Sequence, residues 1–75
     1  MIKVTSTQHI NIILSSLILN YNDLNKPYPG QYLNYSNGRF IALDNQINKP
    51  TYLSSFSSLV DAYEWLISKQ ASSEK

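Results

Sequence analysis

Apolar residues recur at helical spacing near the start of the chain: Ile10, Ile13, Leu14, Leu17, Ile18, Tyr21 and Leu24 follow i, i+3, i+4, i+7. The spacing predicts a helix from about Ser6 to about Leu24. Thr5 and Gln8 stand ahead of it in capping-box spacing. Pro27 and Pro29 end it, because the residue before a proline is pushed out of the helical region. Two aliphatics do not fit the stripe. Ile12 and Leu19 lie nearly opposite it and, a heptad apart, share one line on the helix surface.

The period then changes from helical to alternating. Asn37-Gly38 carries the strongest local signal, since both residues tolerate the positive φ of a two-residue type I′ hairpin turn. That turn predicts the register: Ser36 opposes Arg39, Tyr35 opposes Phe40, and Leu33 opposes Ala42. Directly opposed residues share a face. Leu33, Tyr35, Phe40 and Ala42 therefore form one face, which the pattern favours as core. Tyr32, Asn34, Ser36, Arg39, Ile41 and Leu43 form the other, which is not properly polar. Residues 44–50 read as a loop, and "TYLSSF" as a third strand with Tyr52 and Phe56 on one side.

A second helix follows, opened by Ser58 and Asp61 in capping-box spacing. Leu59, Ala62, Tyr63, Leu66 and Ile67 are its expected core stripe, with Trp65 off it. The elements add up to an α+β fold in α-β-β-β-α order. A three-stranded antiparallel meander packs on two helices, which most simply cover one face, and residues 1–4 could add a short N-terminal strand. Residues 1–75 read as one domain, with 71–75 a frayed tail.

Composition narrows the chemistry. The chain has no cysteine, so disulfides, zinc knuckles and thiol chemistry are excluded. A domain of 75 residues without such a staple has a marginal core. Only 15% of residues are charged, against about 25% in globular domains, and the net charge is +1. Asn and Ser supply the polarity instead. The apolar run at residues 10–19 follows Lys3, but Asn11, Ser15 and Ser16 interrupt it and no small-residue cleavage site succeeds it. It is also shorter than the roughly 20 residues that span a bilayer. The expected location is cytoplasmic, and Asn34-Tyr35-Ser36 reads as a chance glycosylation sequon.

Candidate catalysts are few. His9 is the only histidine, and no serine near any glycine makes a nucleophile elbow. Asp61 and Glu64 lie side by side on a helix, yet Asp61 is already accounted for as a cap and both should be solvated. Neither glycine belongs to a phosphate-cradling motif. The expectation is a non-enzymatic protein with no cofactor and no metal.

The helix–three strands–helix order resembles the double-stranded-RNA-binding domain. That family carries a lysine cluster at the start of its last helix, where this chain reads "SSLVDAYEWL". Residues 30–66 also resemble the three-strand-plus-helix arm-binding domains of phage integrases, which read DNA with a basic sheet. Here the sheet offers Arg39 and nearby Lys49. Nucleic-acid binding through Tyr32, Arg39, Lys49 and Tyr52 is accordingly the second expectation. Membrane-surface binding fits poorly, since the polar face of the first helix holds no cation.

The apolar surplus points elsewhere. Tyr32, Ile41 and Leu43 on the second sheet face, Arg39 beside them, and Trp65 off its helix stripe are the expected contacts for a protein partner. Ile12 and Leu19 are the expected self-association pair of a homodimer. Small accessory proteins of phages or mobile elements, including inhibitors of host proteins, have this size and composition. Such an interaction module is the first expectation.

Overall fold

The structure, a computed structural model, describes residues 2–19 and 26–71. In chain order the elements are β1 (Ile2–Val4), α1 (Thr7–Leu19), β2 (Gly30–Ser36), β3 (Arg39–Asn45), β4 (Tyr52–Phe56) and α2 (Leu59–Ala71). The strands form one sheet in the order β1-β2-β3-β4. The fold is the small α+β domain expected, with the optional first strand present. That strand pairs parallel to β2, so α1 is the crossover of a β-α-β unit. Tyr21, Leu24 and residues 72–75, which the sequence adds to the first helix and to a frayed tail, lie outside the described residues.

The hairpin follows its turn. Asn37 and Gly38 have φ of 53° and 76°, the positive pair that a type I′ turn requires. Ser36 pairs with Arg39, Tyr35 with Phe40 and Leu33 with Ala42, as the turn dictates. β3 runs two residues further than expected, so Asp44 and Asn45 are strand rather than loop, and both are fully buried. β4 then places Tyr52 and Phe56 on one face, and Leu53 and Ser55 on the other.

The helices do not share a face. Ile10 and Ile13 of α1 cluster with Tyr32 and Leu43, while Ala62 and Leu66 of α2 cluster with Leu33 and Ala42. Tyr32 and Leu33 are neighbours on β2 and point to opposite sides, so each face of the sheet has its own helix. The one-face arrangement expected from the meander fails because β1 is a genuine strand. A crossover between parallel strands must carry its helix over one face, and the α2 cluster takes the other. This also explains the mixed character of the second sheet face: it is core, not surface.

The α1 cap lies one side chain away from the simple reading, and the α2 cap lies where the spacing puts it. In α1 the Ser6 hydroxyl accepts the His9 N–H at 3.1 Å, so Ser6 rather than Thr5 is the cap. Thr5 instead bonds the His9 ring through Nδ1 at 2.6 Å. In α2 the Asp61 N–H reaches Ser58 Oγ at 3.4 Å, as the Ser58–Asp61 spacing predicts.

A polar layer closes the end of the sheet where β2 begins. Gln31 Nε2 donates to Asp44 Oδ1 (2.9 Å) and to the Leu66 carbonyl (2.7 Å), and Gln70 Nε2 donates to Gln31 Oε1. Nearby, Asn45 Nδ2 donates to the carbonyls of Pro27 and Tyr28, and buried Lys26 donates to Thr51 Oγ1 and the Lys49 carbonyl. Buried polar groups without partners are costly, so this layer ties the loop before β2 and the loop before β4 to one geometry.

Candidate interaction surface

Each helix covers half a face. α1 packs mainly on β2, and α2 packs mainly on β3, with β4 and β2 to either side. On the α1 side, the β3–β4 half of the sheet is left open: Ile41 is half-buried and Leu53 is 50% exposed. A groove of about 380 Å³ runs there between Leu14 of α1 and Arg39, Ile41 and Leu53 of the sheet. It adjoins a second hollow of about 470 Å³, floored by Leu14, Leu17, Ile18 and Thr51. On the α2 side, Val4 and Tyr35 of the sheet are exposed, as are Leu59 and Tyr63 of α2.

Among the described residues, Arg39 is the one charged side chain lining the α1-side groove. Its Nη2 donates to Ser55 Oγ at 3.1 Å, which holds the guanidinium along the outer strand. Asn34 closes the other wall: Nδ2 donates to the Thr5 carbonyl (2.8 Å), and Oδ1 accepts from Thr7 Oγ1 (3.1 Å). The sequon asparagine is therefore a buried brace between β2 and the start of α1.

Several expected contacts fall elsewhere. Tyr32 is 3% exposed and Leu43 is 0%, both beneath α1, so neither faces a partner. Their alternation with Leu33 and Ala42 looked like a spare face only because α1 was expected on the other side. Burial pushes the Tyr32 phenol above its ordinary pKa of 10.0, and its hydroxyl donates to the Tyr28 carbonyl at 3.1 Å. Trp65 is half-buried, its ring 5.8 Å from Phe56, with Lys69 Nζ 5.3 Å from the same ring. The aromatic floor supplied by Phe56 draws that flank of α2 onto the sheet, and the expected stripe residues Leu59, Tyr63 and Ile67 are exposed instead.

Ile41 and Arg39 remain at the groove. Ile12 is partly exposed and Leu19 is 81% exposed on the outer side of α1. Ile18, expected in the core, is 82% exposed. The nucleic-acid set is split: Tyr32 and Arg39 belong to the α1 face, whereas Tyr52 lies on the α2 face under Lys69 Nζ at 4.1 Å. Lys49 is spent on the Lys69 carbonyl.

The polar layer has no signature in the sequence, since Gln31, Asp44 and Asn45 match no catalytic motif and no hydropathy period. Asp44 is fully buried, and its Oδ2 has no hydrogen-bond partner. Asp61 and Glu64 are both exposed. Among the described residues no group of three His, Cys, Asp or Glu side chains could hold a metal, and no helix is long and apolar enough to cross a membrane. Comparison of the chain with protein-family models, curated proteins and solved structures returns no match.

Proposed function

We propose that this chain is a small, non-enzymatic protein-interaction module that binds another protein along the α1-side groove. The observation that supports it most is the pair of adjoining hollows sharing Leu14, open on one side of α1 and lined by Leu17, Ile18, Ile41 and Leu53. Contiguous exposed apolar surface of this kind marks interaction sites. Arg39 at one end provides a single polar anchor, a residue type enriched in binding hot spots. A partner segment with aliphatic or aromatic side chains and one acceptor for Arg39 suits this lining. The cysteine-free composition fits a cytoplasmic protein, and the small size suits a phage or mobile-element accessory that binds or inhibits a host protein.

The test is site-specific photocrosslinking in the cells that make the protein. A benzophenone side chain at Asn11, on the groove, should give a discrete covalent adduct, and one at Glu64, on the outer side of α2, should not. Equal labelling from both positions, or none from Asn11, would sink the groove reading.

A further inference from the structure

The two free edges of the sheet are built differently. β1 is three residues long and carries exposed Lys3, which are the usual means of keeping an edge from pairing. β4 is five residues long and has no charge and no proline. Its pairing with β3 is one-to-one throughout, so no bulge twists its edge away.

We propose that β4 pairs antiparallel with β4 of a second copy of this chain, about a two-fold axis at Ser54. The hydrogen-bond alternation sets the geometry. A two-residue hairpin loop is closed by a hydrogen-bonded pair, here Ser36 and Arg39, and pairs alternate from there. Across β3, the alternation makes Tyr52, Ser54 and Phe56 the β4 residues that bond inward. Leu53 and Ser55 direct their N–H and C=O groups outward. Setting Leu53 against the partner's Ser55, and Ser55 against the partner's Leu53, satisfies all of those outward groups.

The same register matches the side chains. Tyr52 meets the partner's Phe56 on the α2 face, twice over, an aromatic pairing of the kind that stabilises sheets. Leu53 meets a serine, which leaves room for its branch, and no charged side chain on either strand opposes another. The arrangement reads identically in both directions, which is the property an isologous two-fold interface requires. With the axis perpendicular to the sheet, the two sheets become one, and both α1 helices lie on the same side of it. The inference extends the interaction reading to the sheet edge beside the groove, which shares Leu53 with it, so the Ser54→Cys crosslink, at a position outside the groove lining, separates the two readings.

The experiment is sedimentation equilibrium on the whole chain across the micromolar range, with circular dichroism to confirm folding. The wild type should be dimeric. Leu53→Lys and Ser55→Glu alter exposed positions, so the monomer fold should survive, and each should raise the dimer dissociation constant at least about tenfold. An equimolar mixture of the two should regain dimer, since Lys at 53 then faces Glu at 55 across the axis. Ser54→Cys should crosslink to itself under mild oxidation, whereas Ser15→Cys on α1 should not. A strictly monomeric wild type would overturn the proposal. So would a dimer untouched by both edge variants, or one lost only in Ile12→Ser plus Leu19→Ser, which would move self-association to α1. Either outcome leaves crosslinking at the groove as a separate question.

Discussion

The two faces of the sheet are both covered, but by different means. On the α1 face, large side chains do the filling: Ile10 and Ile13 meet Tyr32 and Leu43, with Leu14 and Leu17 at the margin. On the α2 face, Ala62 and Ala42 let the helix approach the sheet closely, with Leu33 and Leu66 buried beside them and Phe40, Phe56 and Trp65 at the margin. α2 also covers the polar group of Gln31 and Asp44, matched by the Leu66 carbonyl and Gln70. One face is held by volume and leaves an open groove beside its helix. The other is held by close fit and by a hydrogen-bond pattern that admits one placement of the helix.

That difference predicts unequal responses to truncation. Leu66→Ala and Ile13→Ala should each destabilise by about 2–5 kcal/mol in chemical denaturation. Leu66→Ala should lie at the upper end, because Leu66 is fully buried in a cluster where Ala42 and Ala62 have no side chain long enough to fill the space. Ile13 borders a face with an open groove, which can relax toward the cavity. A larger loss at Ile13 would mean that the groove side is the rigid one.

The polar layer gives the next test. Asp44→Ala leaves the Gln31 and Gln46 amides without their shared acceptor, Oδ1, and should destabilise by about 1–3 kcal/mol. Asp44→Asn keeps that acceptor and exchanges Oδ2, which has no hydrogen-bond partner, for an amide nitrogen, so it should cost less than Asp44→Ala. A loss from Asp44→Asn as large as from Asp44→Ala would show that the shared acceptor is not what holds the α2 face.

The smallest effect concerns the α1 face. Tyr32 titrates above 10.0 in the folded chain because it is buried. A raised folded pKa contributes stability that is full below the unfolded value and is lost as pH rises through the folded value. The unfolding free energy should therefore fall above about pH 10, and Tyr32→Phe should flatten that fall relative to wild type. Equal slopes in both proteins would show that Tyr32 stays accessible to solvent.

The local signals in the sequence were sound where they were short-range. Asn37-Gly38 specified the hairpin register, and with it the membership of both sheet faces. Ser58 opened α2 where its spacing with Asp61 placed it. What the pattern could not convey was which face each helix takes, because that depends on whether residues 2–4 pair and in which direction. Treating that strand as optional made Tyr32 and Leu43 look like free surface. Trp65 was misplaced for a related reason: helix periodicity alone ignores the aromatic floor that Phe56 provides on a different element. Arg39 and Ile41, expected as partner contacts on the second sheet face, line the groove there, whereas Gln31 and Asp44 carry no periodic or motif signal at all.

The parallel pairing of β1 also has a kinetic consequence. The meander from β2 to β4 closes through short turns, but Ile2 must find Gln31 from roughly 30 residues away, so its contacts carry the larger loop-closure penalty. Of the four strands, β1 should be the last to be seated. Ile2→Ala should accordingly speed unfolding while leaving the folding rate nearly unchanged in stopped-flow measurements, whereas Ala42→Gly in the meander should slow folding. The N-terminal residues act less as a foundation than as a latch, closing over a sheet that has already formed.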